Sequence, residues 1–251
     1  GDQFIPSMNY TFTYDNARLK KDYQLWWENS ITSAGNVTSL LYAALGKDFS
    51  EKNKKLLGTP FAQFLKLTSE VRALFKVGEK QHIAARFMGG MLWSYGNQTI
   101  APYSEQFYIG GANSLRAFTV RSIGPGTYNP AQNTKYGYLD QTGDIKLEAN
   151  VEYRFPIFGE LYGATFLDAG NVWLMRKDEN RPGGEFTLKN FVKSIALNTG
   201  VGVRYDLTFL VIRLDMGIAL HVPYETGKSG YYNIPKFKDG LGLHFAIGYP
   251  F

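Results

Sequence analysis

Cysteine is absent from the 251 residues, which excludes a disulfide scaffold, a thiolate metal site and a cysteine nucleophile. Histidine is scarce: His82, His221 and His244 lie far apart, and no zinc-hydrolase signature or GxSxG nucleophile elbow accompanies them. No run of about 18 apolar residues occurs, so a transmembrane helix is excluded. The charge excess is only +5, with no basic stripe or binding motif, so nucleic acid is not an expected partner. An initiator Met is also missing, as is a charged segment leading into an apolar one. Gly1 therefore reads as the start of a processed or cut chain, with any export signal out of view.

What is abundant points to strands. Aromatic residues make up 16%, with 17 Tyr and 18 Phe, beside 27 Gly. Apolar residues at 44% and charged residues at 20% argue against disorder. Mean hydropathy is slightly negative. A membrane β-barrel has that balance, because half of each strand faces water.

Period-two alternation carries the fold class. In 209–222, Leu210, Ile212, Leu214, Met216, Ile218 and Leu220 share one face, opposite Arg213, Asp215, Gly217, Ala219 and His221. In 241–251, Leu241, Leu243, Phe245, Ile247, Tyr249 and Phe251 share one face, opposite Gly242, His244, Ala246 and Gly248. The same pattern runs through 83–95, 147–155, 161–173 and 195–206, and more weakly through 7–15, 22–33 and 61–77. These segments exceed the roughly five or six residues of a typical globular strand and suit tilted membrane crossings of about 9–11. A soluble sandwich also alternates. Here, however, the polar face is mostly Gly, Ala, Asn and paired charges such as Arg213 with Asp215, which suits a crowded polar lumen. Aromatic pairs at strand ends (Trp93 with Tyr95, Tyr153 with Phe155) fit interfacial girdles.

The connections alternate as well. Short ones fall near 16–21, 78–81, 156–160 and 206–208, and long ones near 34–60, 96–146, 174–194 and 223–240. Short periplasmic turns and long outer loops have this rhythm. Nine strands is an odd number, whereas a closed antiparallel barrel needs an even one. The chain is therefore expected to be one barrel-domain fragment over 1–251, the C-terminal part of a larger antiparallel transmembrane β-barrel. Two expectations concern the first long connection: a short helix over Val37–Leu45, and a solvated basic segment at Lys47, Lys52, Lys54 and Lys55 that suits anionic lipid headgroups.

The central long connection reads PYSEQFYIGGANSLRAFTVRSIGPGTY over 102–128. Its glycines permit tight turns. Arg116, between Leu115 and Phe118, is either a solvated loop tip or a lumen plug seeking a carboxylate. Glu152 and Asp168 both fall on polar faces by parity, so both can point inward.

GGANSLRAF at 110–118 with RSIGPG at 121–126 resembles the sixth-loop motif of the outer-membrane assembly superfamily, the group of BamA, TamA and the two-partner secretion transporters. FLDAGNVW at 166–173 resembles its partner motif, and KLEANVEYRFP at 146–156 the strand between them. The similarity covers most of the chain. It departs from the usual Arg-Gly-aromatic pattern at Ala117. The resemblance implies a sixteen-stranded barrel preceded by periplasmic POTRA domains. The present chain would supply its last nine strands, without the first seven and without the POTRA domains. It also implies a lumen loop, carried by Gly110, Gly111, Arg116 and Phe118 and locked against Glu152, Asp168 and Gly170. Lys238, Gly240, Leu243, Phe245 and Phe251 resemble the C-terminal β-signal of outer-membrane proteins.

The function so implied is assembly, insertion or translocation of nascent outer-membrane or secreted proteins in the bacterial outer membrane, by strand templating at a barrel seam. Its partners would be outer-membrane lipid, client proteins, and periplasmic proteins or lipoproteins reached through POTRA domains. No cofactor, metal or catalytic residue is expected. A passive channel or structural barrel is the alternative. An outer-membrane enzyme would need a partner for His221, and no Ser with a signature supplies one.

Overall fold

The computed structural model describes residues 7–16, 22–34, 55–56, 59–60, 63–95, 105–129 and 141–251. The strands are β1 (Ser7–Asp15), β2 (Tyr23–Ala34), β3 (Lys55–Leu56), β4 (Thr59–Pro60), β5 (Phe64–Gly78), β6 (Gln81–Ser94), β7 (Ile145–Phe158), β8 (Leu161–Trp173), β9 (Ala196–Asp206), β10 (Val211–His221) and β11 (Leu241–Ile247). Nine of them form a single sheet in the order β1-β2-β5-β6-β7-β8-β9-β10-β11, while β3 and β4 pair as a separate small hairpin. Every pairing in the large sheet is antiparallel. Among the described residues the sheet does not close: β1 and β11 are its edges. The helix expected over Val37–Leu45 and the lysines at 47, 52 and 54 lie outside the described residues.

Strand length follows from the uninterrupted alternation. β5 runs for 15 residues and β6 and β7 for 14 each, enough to cross the apolar layer at a tilt. The two faces separate cleanly. Phe87, Met91, Val151, Leu167, Val201, Leu214, Leu243, Phe245 and Ile247 are exposed on the convex face. Arg86, Glu148, Asn150, Glu152, Arg154, Asp168, Asn198, Arg204, Arg213 and Asp215 are buried on the concave one. A soluble sandwich would invert this, because its apolar side chains would be sealed between layers.

What fills the concavity is the connection after β6. Residues 105–129 fold inward, so that Phe107, Ile109, Leu115, Phe118 and Ile123 cluster with Phe64, Leu92, Val172, Ala196 and Ala219 near the long-loop ends of the strands. The only sizeable apolar core among the described residues is thus loop against barrel wall. At the same rim the connection after β10 is pinned by His221. Its ring stacks on Tyr231 at 4.0 Å, and its two nitrogens face the carbonyls of Tyr231 (2.6 Å) and Lys193 (2.7 Å).

One facial assignment needs correction. The alternation assigns Tyr249 and Phe251 to the lipid side, but β11 ends at Ile247 and Gly248 takes a φ of +88°. That left-handed residue turns the chain inward. Phe251 comes to lie 5.2 Å from the guanidinium of Arg86 and 5.8 Å from those of Arg116 and Arg154. An aromatic face beside three cations is a better environment for this ring than the rim of an edge strand.

Candidate functional site: a buried charge network under the inward loop

Arg116 is completely buried. The route inward is set by Gly110 and Gly111, with φ of +108° and +104°, a conformation that L side chains rarely adopt. The Gly111 amide donates to the Phe118 carbonyl at 2.8 Å, closing the loop tip into a compact turn. Ser114 braces it from within, its hydroxyl accepting from the Gly110 amide at 3.0 Å and meeting Glu148 on β7.

From that tip the Arg116 guanidinium forks onto Asp168 of β8. Nε donates to Oδ2 and Nη2 to Oδ1, both at 3.0 Å, and the Arg116 backbone amide adds a third bond to Oδ2 at 3.1 Å. Nη1 donates to Glu152 Oε1 on β7 at 2.5 Å and lies 3.5 Å from Asp215 Oδ2 on β10. The guanidinium plane sits 3.5 Å from the centre of the Phe166 ring. Burial alone works against its charge. The hydrogen bond and charge of Asp168, followed by those of Glu152, outweigh that penalty and hold the group protonated, shifting its pKa upward.

Register explains why the carboxylates are ready to receive it. Asp168 stands directly between Asn150 on β7 and Asn198 on β9. Both amides donate to it, at 2.9 Å and 3.0 Å. Glu152 accepts from Arg154 at 2.5 Å and from Arg204 at 2.6 Å as well as from Arg116. Arg204 and Arg213 face one another across β9 and β10, and Asp215 takes a bond from each. Opposite Asp215 in the ladder is Gly202, where a side chain would collide with the carboxylate. Arg213 returns to the loop through the Ala112 carbonyl (2.8 Å) and the Asn113 side chain (2.5 Å). Three acids and four arginines from β7 to β10 and the loop therefore form one buried network. Such a network is costly to bury and costly to break at a single member.

The structure brings Gly110, Gly111, Arg116, Phe118, Glu152, Asp168 and Gly170 together. Gly170 lies under Ile109 of the loop, where a Cβ would come 2.7 Å from the Ile109 side chain. It does not bring the β-signal residues into one cluster. Leu243 and Phe245 are exposed at 71% and 72% on the convex face, while Phe251 turns inward and Gly240 is buried next to Ala219. The departure at Ala117 has a local resolution, because Ala117 is not among the non-glycine residues with positive φ. At position 117 the backbone does not take the shape that would demand glycine.

Several participants escape sequence reasoning. Phe166, Asn150, Asn198, Arg204 and His244 sit on the polar faces by parity. Only the register, which no single-strand pattern encodes, shows that they converge. Both ring nitrogens of His221 face backbone carbonyls rather than a serine hydroxyl. Among the described residues no cluster of three metal-binding side chains exists.

Comparison with known proteins places this architecture. The model of the Omp85 superfamily domain matches residues 26–251. The human sorting and assembly machinery component 50 homolog is 28% identical over 147 residues, 57% of this chain and 30% of its own length. The outer membrane protein assembly factor BamA of Neisseria meningitidis serogroup B is 32% identical over 90 residues, 34% of this chain and 11% of that protein. BamA of Nitratidesulfovibrio vulgaris is 24% identical over 227 residues, 84% of this chain and 26% of that protein. The chain thus spans less than a third of the length of these curated relatives. The crystal structure of BamA from Haemophilus ducreyi lacking POTRA domains 1–3 aligns with 97% of this chain and 53% of its own, at a TM-score of 0.49 and 15% identity.

Proposed function

The chain belongs to the Omp85 superfamily, and on that footing we propose that it forms the C-terminal part of the barrel of a BamA- or TamA-type assembly or translocation factor. It is a protein of the bacterial outer membrane. The remainder of the barrel and the POTRA domains belong to segments outside this sequence. Clients are nascent outer-membrane or secreted proteins, and POTRA domains supply contacts to periplasmic proteins or lipoproteins. Outer-membrane lipid surrounds the convex face.

The observation that carries this reading is the fully buried Arg116, forked onto Asp168 and bonded to Glu152. A passive pore gains nothing from a plug fixed by so many desolvated charges. A barrel that must keep its lumen sealed while its wall opens does. In that mechanism the terminal strand parts from the first strand of the barrel at their seam and offers unpaired N–H and C=O groups to an incoming strand. The Arg116 lock, supported by Gly110, Gly111, Phe118 and Gly170, keeps the loop and the central wall rigid meanwhile. Leu243, Phe245, Gly240 and Phe251 mark the terminal strand as the one that is recognised. No bond is made or broken covalently, so no cofactor enters.

Depletion of the full-length protein tests this. The expected result is a fall in the levels of other outer-membrane barrels, restored by the native gene and not by Arg116→Ala. Unchanged barrel levels together with a lost membrane conductance would instead make the protein a passive channel.

A further inference from the structure

Arg116 has a second attachment that the lock does not use. Its carbonyl accepts a hydrogen bond from Nε2 of His244 on β11 at 2.8 Å. The peptide joining Arg116 to Ala117 lies on two glycines, Gly217 of β10 and Gly242 of β11, which are directly opposed in the ladder. A Cβ on Gly242 would approach the Arg116 carbonyl oxygen to 2.6 Å, and one on Gly217 would overlap the Ala117 amide nitrogen. Two facing residues without side chains therefore make a bare floor, and the imidazole beside it ties down the peptide that rests there. A carbonyl can only accept, so Nε2 must carry the proton.

The consequence is mechanical. The Arg116 amide bonds Asp168 on β8, and the Arg116 carbonyl is bonded by His244 on β11. One residue thus bridges the central wall and the terminal strand, passing over β9 and β10. Apart from its ladder with β10, β11 has no other strand neighbour among the described residues.

We propose that His244, with the Gly217–Gly242 floor, is a positioning site that couples the terminal strand to the loop lock, so that β11 is held shut only while Arg116 is seated. The inference rests on the assembly reading for its purpose, but its geometry stands apart from it. If β11 shifts at the seam to template a client along its open edge, it must first surrender the His244 bond. Loss of the lock on β8 must likewise loosen β11, although Asp168 is three strands away.

Hydrogen exchange on the full-length protein in lipid vesicles tests this directly. In His244→Ala the amides of 241–247 should exchange about tenfold faster, the equivalent of roughly 1.4 kcal/mol, while those of β7 and β8 stay at the native rate. His244→Gln, which retains a donor at a similar reach, should restore most of the protection. Asp168→Asn should raise exchange in 241–247 by a similar factor, and the double variant should add little beyond either single one. Unchanged protection of 241–247 in either single variant overturns the coupling. So does additivity in the double variant, or a rise spread evenly over β7 to β11. Should His244→Ala fail to fold, Asp168→Asn against the native protein decides the question. Exchange does not depend on client assembly. A protein with the expected exchange pattern but no effect on other barrels would therefore refute the assembly reading and leave the coupling standing.

Discussion

At the scale of single residues, Arg116 is the arginine that bonds Asp168 and one of three that bond Glu152. Removing it leaves Asp168 and Glu152 desolvated with one partner fewer each. Arg116→Ala should destabilise the folded barrel by about 3–5 kcal/mol, seen as a lower unfolding temperature of the detergent-refolded protein on heat-modified gels. Arg116→Lys keeps the charge but not the fork, so it should recover only part of that loss. The identity of the two acids is legible in the sequence, because parity puts Glu152 and Asp168 on the same side as Arg154. The destination of the arginine is not. A loop tip between glycines reads equally well as solvated or inserted until the apolar residues that carry it inward are seen against Leu92 and Val172. Ala117 teaches the opposite lesson: the motif suggests a glycine, and the observed backbone does not need one. Ala117→Gly should therefore change stability by less than about 1 kcal/mol, in the destabilising direction, since it mainly frees the unfolded chain.

At the scale of elements, the alternation decides which side of each strand meets lipid. Leu214 and Asp215 are neighbours, yet the first is 42% exposed and the second fully buried. Leu214→Arg should cost about 2–4 kcal/mol if β10 crosses the apolar layer at that level, measured by denaturant unfolding in lipid vesicles. The same substitution on a soluble surface strand would be nearly neutral, so the size of the loss reports the environment directly. Strand positions are readable where the period of two runs on for about a dozen residues, as over 209–222, and less so over 7–15, 22–33 and 61–77. Strand ends are harder to read. Periodicity continues through Tyr249 and Phe251 on paper, and only the positive φ at Gly248 reveals that the chain has already left the sheet. The loop after β10 is held by the His221–Tyr231 stack, which pairs residues ten apart with no pattern to announce it. His221→Ala should leave the strands intact and make 223–240 more readily cut by added protease.

At the scale of the whole molecule, the sheet has two free edges among the described residues. β1 presents one of them, with Tyr10 and Phe12 exposed at 76% and 61% on its convex face. Unpaired backbone groups are tolerated poorly in hydrocarbon. If upstream strands complete the barrel, the amides of 7–15 should be protected in the full-length protein and exchange far faster in the 251-residue chain. Equal rates in both would show that no upstream strand pairs there. The odd strand number already carries this expectation in the sequence. What one strand's pattern cannot carry is curvature: how far the sheet rolls, and hence that its concave side closes around a loop.

The inward turn at Gly248 also bears on how this protein can be handled. Anything fused after Phe251 would begin beside the Arg154 side chain, which donates to the Phe251 carbonyl at 3.0 Å. A purification handle or fluorescent reporter placed there would have to thread out past the arginines, prising the ring from its seat. A tag inserted at the exposed residues 227–230 of the connection after β10 would leave that arrangement undisturbed.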